Sequence, residues 1–431
     1  MRWIWALSTL LLTPRATAWE DPRALRDFET TGLDQIPGLR GNPTHRRKPI
    51  AVGPDGIVTR PARAPFSLFV LPDTQGYTDG GCYQSRGEDA PCFLPRTFRA
   101  QTRYIRRFYD HPLNNAIFVV HLGDVVDDAK RALEWRRARR AMDLLDSFRA
   151  GGRRHFIPYG IAPGNHDFIS WRDGRSEFRA YQRHFSLAGY RRRNPRWRAW
   201  LGSARLGLRN SLHLFNAGGD RYLVLLLEYC PDDATLRWAR WQLTRHRDRR
   251  ALVVTHAAAD RQGRWFRRCM RGKPGNSGQA IWTRLVRPAP NVHFVLGGHA
   301  GYGLGWNAWL RKRTADGTLT AWWRKTGWDG GTYARHRAAD GHTVHVLVAN
   351  YQHLYRGGHG FMRRMRFVPD GNRVEVVTFS PHARRRLCDE DPRCADAGYV
   401  NDPRRQVLRC NNLVIRYSMT GGQRPAGSSA R

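Results

Sequence analysis

The chain has 431 residues, of which 41% are hydrophobic and 11% aromatic, and it carries 73 Lys+Arg against 36 Asp+Glu, a formal charge of +37. That length holds one large domain with additions, or two domains, and the apolar content excludes a globally disordered chain. A field this positive attracts nucleic acid, phosphorylated polymers or anionic lipid. The competing reading is a solvated arginine surface of the kind that GC-rich codon usage favours, and no DNA- or RNA-binding motif accompanies the charge.

The chain opens with "MRWIWALSTLLLTPRATAWEDP". A basic start, an apolar stretch from Trp3 to Leu12 and the small residues Ala16-Thr17-Ala18 predict a signal peptide over 1–18, hence a secreted or periplasmic protein with no transmembrane span after cleavage. A retained anchor is the alternative, disfavoured by Pro14 and Arg15. Residues 19–64 hold Pro, Gly and Arg with little periodicity and read as an extended leader. A main domain is expected over 65–381. In it, short apolar runs ("FSLFVLP", "NAIFVVHLG", "YLVLLLEYC", "ALVVTHAA", "VHFVLGGHA") alternate with helical patterns, the first over Thr97 to Tyr109. This alternation predicts an α/β sheet covered on both faces.

Two regions break the pattern. Trp171 to Arg209, crowded with Arg and aromatics, reads as an insertion over strand ends. From His342 the chain turns to β, with "PDGN" marking a hairpin. Residues 382–431 form a cysteine-bearing tail. Export permits disulfides. Among the seven cysteines, Cys82/Cys92 and Cys388/Cys394 bracket short loops, Cys230 with Cys269 is a further pairing, and the odd count leaves one thiol over. No CxxC pair suggests a zinc cluster.

Five apolar runs end at a potential metal ligand. Asp73 and Gln75 follow "FVLP", Asp124 follows "AIFVVHLG", Asn165 follows "IPYGIAPG", His256 follows "ALVVT" and His299 follows "VHFVLGG". One such residue is an ordinary turn former or helix cap. Five at the carboxyl ends of strands of one parallel sheet would converge on a ligand. His121, His293 and His345 read as packing, His353 and His359 as core or surface residues, and the tryptophans from Trp306 to Trp328 as core or a loop cover.

The local patterns "DTQ", "GDVVD", "GNHD", a lone His and "GGHAG" resemble the calcineurin-like metallophosphoesterase superfamily, whose motifs run D-x-H, GDxxD, GNH followed by D or E, His, and GHxH; the branch with D-T-Q is closest. The resemblance covers about 65–381 and includes the closing "ANYQ" and "GGHGF". It implies a four-layer α/β/β/α sandwich with two divalent metal ions (Mn, Fe or Zn). It places Asp73 and Gln75 on the first metal, Asp124 between the two, and Asn165, His256 and His299 on the second. His166 would protonate the leaving oxygen and Asp127 would orient it. Their bland readings are a local hydrogen bond for His166 and a cap for a helix near Ala129 for Asp127. Gln75 and Gly301 stand where the general pattern has imidazoles, so the first site is expected to be oxygen-rich and weak. The implied function is a phosphoester hydrolase acting on a phosphomonoester or phosphoprotein. A nucleotide or phosphodiester substrate is the alternative, and a degenerate polyanion-binding protein is the alternative of another class.

Overall fold

The longest apolar runs become strands buried on both faces, as parallel strands under two layers must be. In chain order the main strands are β1 (Val58–Thr59), β2 (Phe66–Leu71), β3 (Ala116–His121), β4 (Tyr159–Ile161), β5 (Ser211–Ala217), β6 (Asp220–Leu227), β7 (Arg250–Thr255), β8 (Val292–Gly297), β9 (Gly331–Arg337), β10 (Thr343–Ala349), β11 (Met362–Val368), β12 (Arg373–Ser380) and β13 (Leu413–Arg416). The main helices are α1 (Arg96–Phe108), α2 (Ala132–Asp146), α3 (Arg179–His184), α4 (Leu187–Arg193) and α5 (Asp233–Arg245).

The computed structural model describes residues 52–53, 57–61, 63–79, 96–146, 148–150, 153–168, 178–194, 200–201, 207–269, 273–300, 330–352, 360–386, 407–408 and 412–419. The signal-like segment, most of the leader, Gly301, the Trp306–Trp328 cluster, His353, His359, and Cys82, Cys92, Cys388, Cys394 and Cys410 lie outside them. Among the described residues no helix is long and apolar enough to cross a membrane.

The strands form two mixed sheets. One of nine strands runs β1-β5-β6-β7-β8-β10-β9, with short strands at Trp200–Leu201 and Val407–Leu408. The other, of seven, runs β12-β11-β2-β3-β4, with β13 and a short strand at Arg385–Arg386 both on β12. Strands β6, β7, β8 and β10 are mutually parallel, as are β2, β3 and β4. The leader thus contributes an edge strand, β1 on β5, and the tail contributes β13.

Side chains of β6 separate the layers with period two. Tyr222, Val224 and Leu226 face an inner core with Phe66, Phe69 and Phe367. Leu223, Leu225 and Leu227 join an outer core with Leu236, Ala239 and Leu243 of α5. On the second sheet, α1 buries Phe98, Tyr104, Ile105 and Phe108, and α2 buries Trp135, Ala138, Met142 and Leu145. Those spacings of three and four put one apolar stripe on each helix. This is the α/β/β/α sandwich. Phe66 anchors its middle: it stacks on Phe367 at 4.8 Å and meets Tyr222 edge-on at 5.3 Å.

Local chemistry matches the expected boundaries. Asp232 caps α5 by accepting the Thr235 N–H at 2.7 Å. The "PDGN" turn joins β11 to β12, with Asn372 left-handed at φ 45°, a conformation asparagine tolerates. Cys230 and Cys269 are disulfide-bonded across 39 residues. Closing a loop of that size stabilises the fold by about 3–4 kcal/mol in the chain-entropy account. The 178–194 part of the expected insertion forms α3 and α4, and the Tyr190 hydroxyl donates to Tyr159 O of β4 at 3.0 Å.

Two buried histidines make the fold acid-sensitive. Burial pushes His213 down to about 3. Burial, with His293 nearby, pushes His345 down to about 3. An unfolded histidine titrates near 6.5. Between those values the unfolded chain binds protons that the folded chain excludes, so stability falls as pH drops through that window, by about 1.4 kcal/mol per pH unit for each. His213→Gln is expected to flatten the slope of unfolding free energy against pH between about 6 and about 4 by roughly that amount. Urea titrations at several pH values measure it, and an unchanged slope would contradict the assignment.

Candidate metal centre

The predicted ligands stand beyond the carboxyl ends of five strands, but not of one sheet. Asp73, Asp124 and Asn165 follow β2, β3 and β4 of the seven-stranded sheet, and His256 and His299 follow β7 and β8 of the nine-stranded sheet. Convergence therefore depends on packing two sheets so that their ligand-bearing edges meet. Asp73, Gln75, Asp124, Asn165 and His256 are all buried, and His299 is half-buried.

Asp124, His256 and His299 each offer an atom within 4.8 Å of the others. His256 Nε2 lies 3.1 Å from Asp124 Oδ2. The other ring nitrogen of His256 lies 2.8 Å from Leu122 O. A carbonyl can only accept, so Nδ1 carries a proton, and in the neutral ring Nε2 then has the lone pair on the side of Asp124, the tautomer a metal-binding histidine needs. The second Asp124 oxygen is held by the His166 backbone N–H at 2.9 Å.

Asp73 receives the His299 backbone N–H, at 3.2 Å to Oδ2, and the Gln352 amide at 3.4 Å. Thr74 N–H donates to Asp124 O at 3.0 Å and so ties the two loops. His121, wholly buried as expected of a packing residue, supports them from below. Its Nδ1 accepts the Gly123 N–H at 3.1 Å, and its Nε2 lies 3.1 Å from Thr74 Oγ1.

A cation fits this donor set. Gln75 Oε1 and Asn165 Oδ1 are buried and have no hydrogen-bond partner among the described residues. Each such orphaned oxygen costs about 1–3 kcal/mol, and a divalent cation would satisfy both. Asp124 and His299 also hold left-handed backbone, at φ 48° and 54°. That costs roughly 1–2 kcal/mol for a residue with a side chain, and such strain collects at functional sites. Glycines make room: a Cβ on Gly164 would overlap Asp124 Oδ1, and one on Gly298 would overlap Asp73 Oδ1.

A family model for calcineurin-like phosphoesterases matches residues 71–301, which carry all of these motifs. The chain belongs to that family. It is also similar to an uncharacterized protein, YvnB, of Bacillus subtilis (strain 168), at 27% identity over 327 residues, 75% of this chain. The chain spans only 20% of the length of that relative.

Charges in this phosphoesterase are strongly coupled at the strand tips. Burial alone would raise the Asp124 carboxyl, but the imidazoles of His256 and His166 outweigh it and hold it below the ordinary carboxylate range. Burial works against a charged His256, yet Asp124 and Asp73 raise it to about 9. The field that favours a proton on His256 favours a cation there as well, and the two compete. Asp73 is pushed up, first by burial, with His256 pulling the other way.

His166 stands beside this group. Its Nδ1 is 2.7 Å from Asp127 O and 3.4 Å from Asp127 Oδ1. The backbone carbonyl is thus the nearer partner, whereas the sequence pattern points to the carboxylate. Burial opposes the charged ring, but Asp124 and Asp127 raise it to about 9. Helix α2 begins at Ala132, and the Asp127 and Asp128 N–H groups are received by Glu134 Oε2 at 2.8 and 3.0 Å.

The sequence leaves Asp167 outside the catalytic set as a structural residue and gives no role to Tyr229, Phe266 or Gln352. Asp167 accepts N–H groups from Val125, Val126 and Gly164 at 2.9, 3.2 and 2.8 Å, stitching "GDVVD" to "GNHD". Tyr229 and Phe266 place rings 5.9 and 5.3 Å from His299. Asp167 stands in the "GNHD" pattern itself, and Gln352 closes "ANYQ" beyond the apolar run of β10, a position like those of the predicted ligands. Gly298→Ala is expected to leave the chain folded while displacing Asp73 and weakening divalent-cation binding about tenfold or more. Metal analysis after dialysis checks this; full cation content would contradict the steric cradle.

Proposed function

We propose that this phosphoesterase is an exported, dinuclear enzyme that hydrolyses phosphomonoesters or phosphoproteins. The observation that carries the reading is the convergence of Asp124, His256 and His299, with Nδ1 of His256 engaged by Leu122 so that Nε2 is the nitrogen left for a cation. Asp124, Asn165, His256 and His299 would hold one divalent cation, and Asp73, Gln75 and Asp124 the other. Bound cations supply a water acidified for attack and positive charge for the phosphoryl group in transit.

The chain's own groups do the rest. The Asp127 carbonyl fixes the His166 proton on Nδ1 in the neutral ring and leaves Nε2 to carry a second proton to a leaving oxygen. The net positive charge draws anionic substrates toward the site. The oxygen donors of Asp73 and Gln75 suit a hard cation such as Mn, Mg or Ca as much as Fe, while the imidazole-bearing half suits Mn, Fe or Zn. Export rests on the signal-like start and is supported by the Cys230–Cys269 disulfide, which suits an oxidising compartment.

Asp124→Asn is expected to abolish turnover and release at least one cation from a folded chain. His166→Ala is expected to keep the cations and lower turnover by about 10²–10⁴-fold, less for aryl esters whose leaving groups need no proton. Steady-state kinetics over a leaving-group series, with metal analysis, tests both. An equal loss across the series would remove His166 from the acid role. A wild-type chain that takes up no cation and hydrolyses no ester would favour the polyanion-binding alternative, and a marked preference for diesters would move the substrate to that class.

A further inference from the structure

Beyond β10 the chain turns through Asn350, Tyr351 and Gln352. Strand β10 lies parallel to β8, so this turn emerges at the edge that carries His256 and His299. It is a sixth polar strand tip. The turn is fixed on several sides. Asn350 N–H donates to Gly330 O at 2.9 Å, and Asn350 Oδ1 accepts the Gln352 N–H at 3.1 Å. Gly330 adopts φ 95° and allows this close approach, since a Cβ there would strike the Tyr351 ring.

Tyr351 is buried and bridges to the other sheet. Its hydroxyl lies 3.2 Å from Thr378 Oγ1 of β12. The Arg363 guanidinium of β11 lies 5.7 Å from its ring, and the same side chain donates to Val348 O at 2.9 Å. With Tyr351 anchored between the sheets, Gln352 is delivered to Asp73. Its side chain is buried, and Nε2 stands 3.4 Å from Asp73 Oδ2.

An apolar side chain would fill this place without the cost of burying an amide. What the amide adds is a neutral donor to a carboxylate. A charged donor such as lysine would neutralise Asp73 and repel a cation. The two donors on Asp73, the His299 N–H and the Gln352 amide, leave other lone pairs of the carboxylate to bind.

We propose that Gln352 is a positioning residue of the metal centre: its amide holds Asp73 in the orientation that receives the first cation. The proposal rests on the two-cation reading above. It makes the oxygen-rich half of the site depend on a turn of the opposite sheet, so that cation binding there reports the packing of the two sheets.

The test is calorimetric titration of the full-length, metal-stripped chain with Mn²⁺, together with thermal melts with and without Mn²⁺. Wild type is expected to take up two ions of unequal affinity. Gln352→Met, close in shape, is expected to leave the tighter ion and the cation-free melting temperature unchanged. It should weaken the looser ion by about 10- to 100-fold and lose most of the Mn²⁺-dependent rise in melting temperature. Gln352→Glu, which sets an acceptor against Asp73, should weaken the same ion. Unaltered affinity for both ions in Gln352→Met overturns the positioning role, and Gln352→Glu binding more tightly than wild type overturns it in favour of a direct ligand. Wild-type chain that binds no second ion overturns the two-cation reading itself, a result distinct from either.

Discussion

Two carboxylates, Asp73 and Asp124, are buried where two sheet edges meet, and the surrounding structure is organised by what that requires. Removing an ionised carboxylate from water costs several kcal/mol unless positive charge and donors compensate. Here the compensation comes from both sheets. Asp73, on the seven-stranded sheet, takes the backbone N–H of His299 from the other sheet, and Asp124 faces His256 in the same way. The sandwich therefore holds the site together, and the site's charges in turn bias the two sheets toward one relative placement.

The backbone accepts strain to achieve this. Asp124 and His299 adopt left-handed φ values, and Gly164 and Gly298 yield the space their partners' carboxylates occupy. Behind them, Asp167 receives three N–H groups and His121 links Gly123 to Thr74. These buried, fully engaged polar groups make the loops rigid, which suits ligands that must be placed before a cation arrives.

Much of this was readable from residues whose role is local. The apolar runs that end at Asp73, Asp124, Asn165, His256 and His299 carry both the strand and its ligand, and the glycines of "GDVVD" and "GGHAG" announce a close approach. The helices followed from spacing of three and four, although α2 begins at Ala132 and not near Ala129. What depends on distant pairing was less accessible. That the five tips divide between two sheets follows from strand order, which no run of side chains encodes. The tail strand β13 could not be foreseen for the same reason, since its partner β12 lies more than thirty residues away. Gln352 reaches Asp73 only because Tyr351 is anchored on β12, and Asp127 meets His166 chiefly through a backbone carbonyl, whose position a sequence does not display.

The central proposal is that Asp124 would serve two cations, one held with His256 and His299 and the other with Asp73. Anomalous X-ray scattering at the manganese edge, from crystals of the Mn²⁺-loaded chain, tests it most directly. The account predicts two anomalous peaks, both within bonding distance of Asp124, one adjoining the His256 and His299 imidazoles and one adjoining Asp73. A single peak away from Asp124, or none at the strand tips, would contradict it.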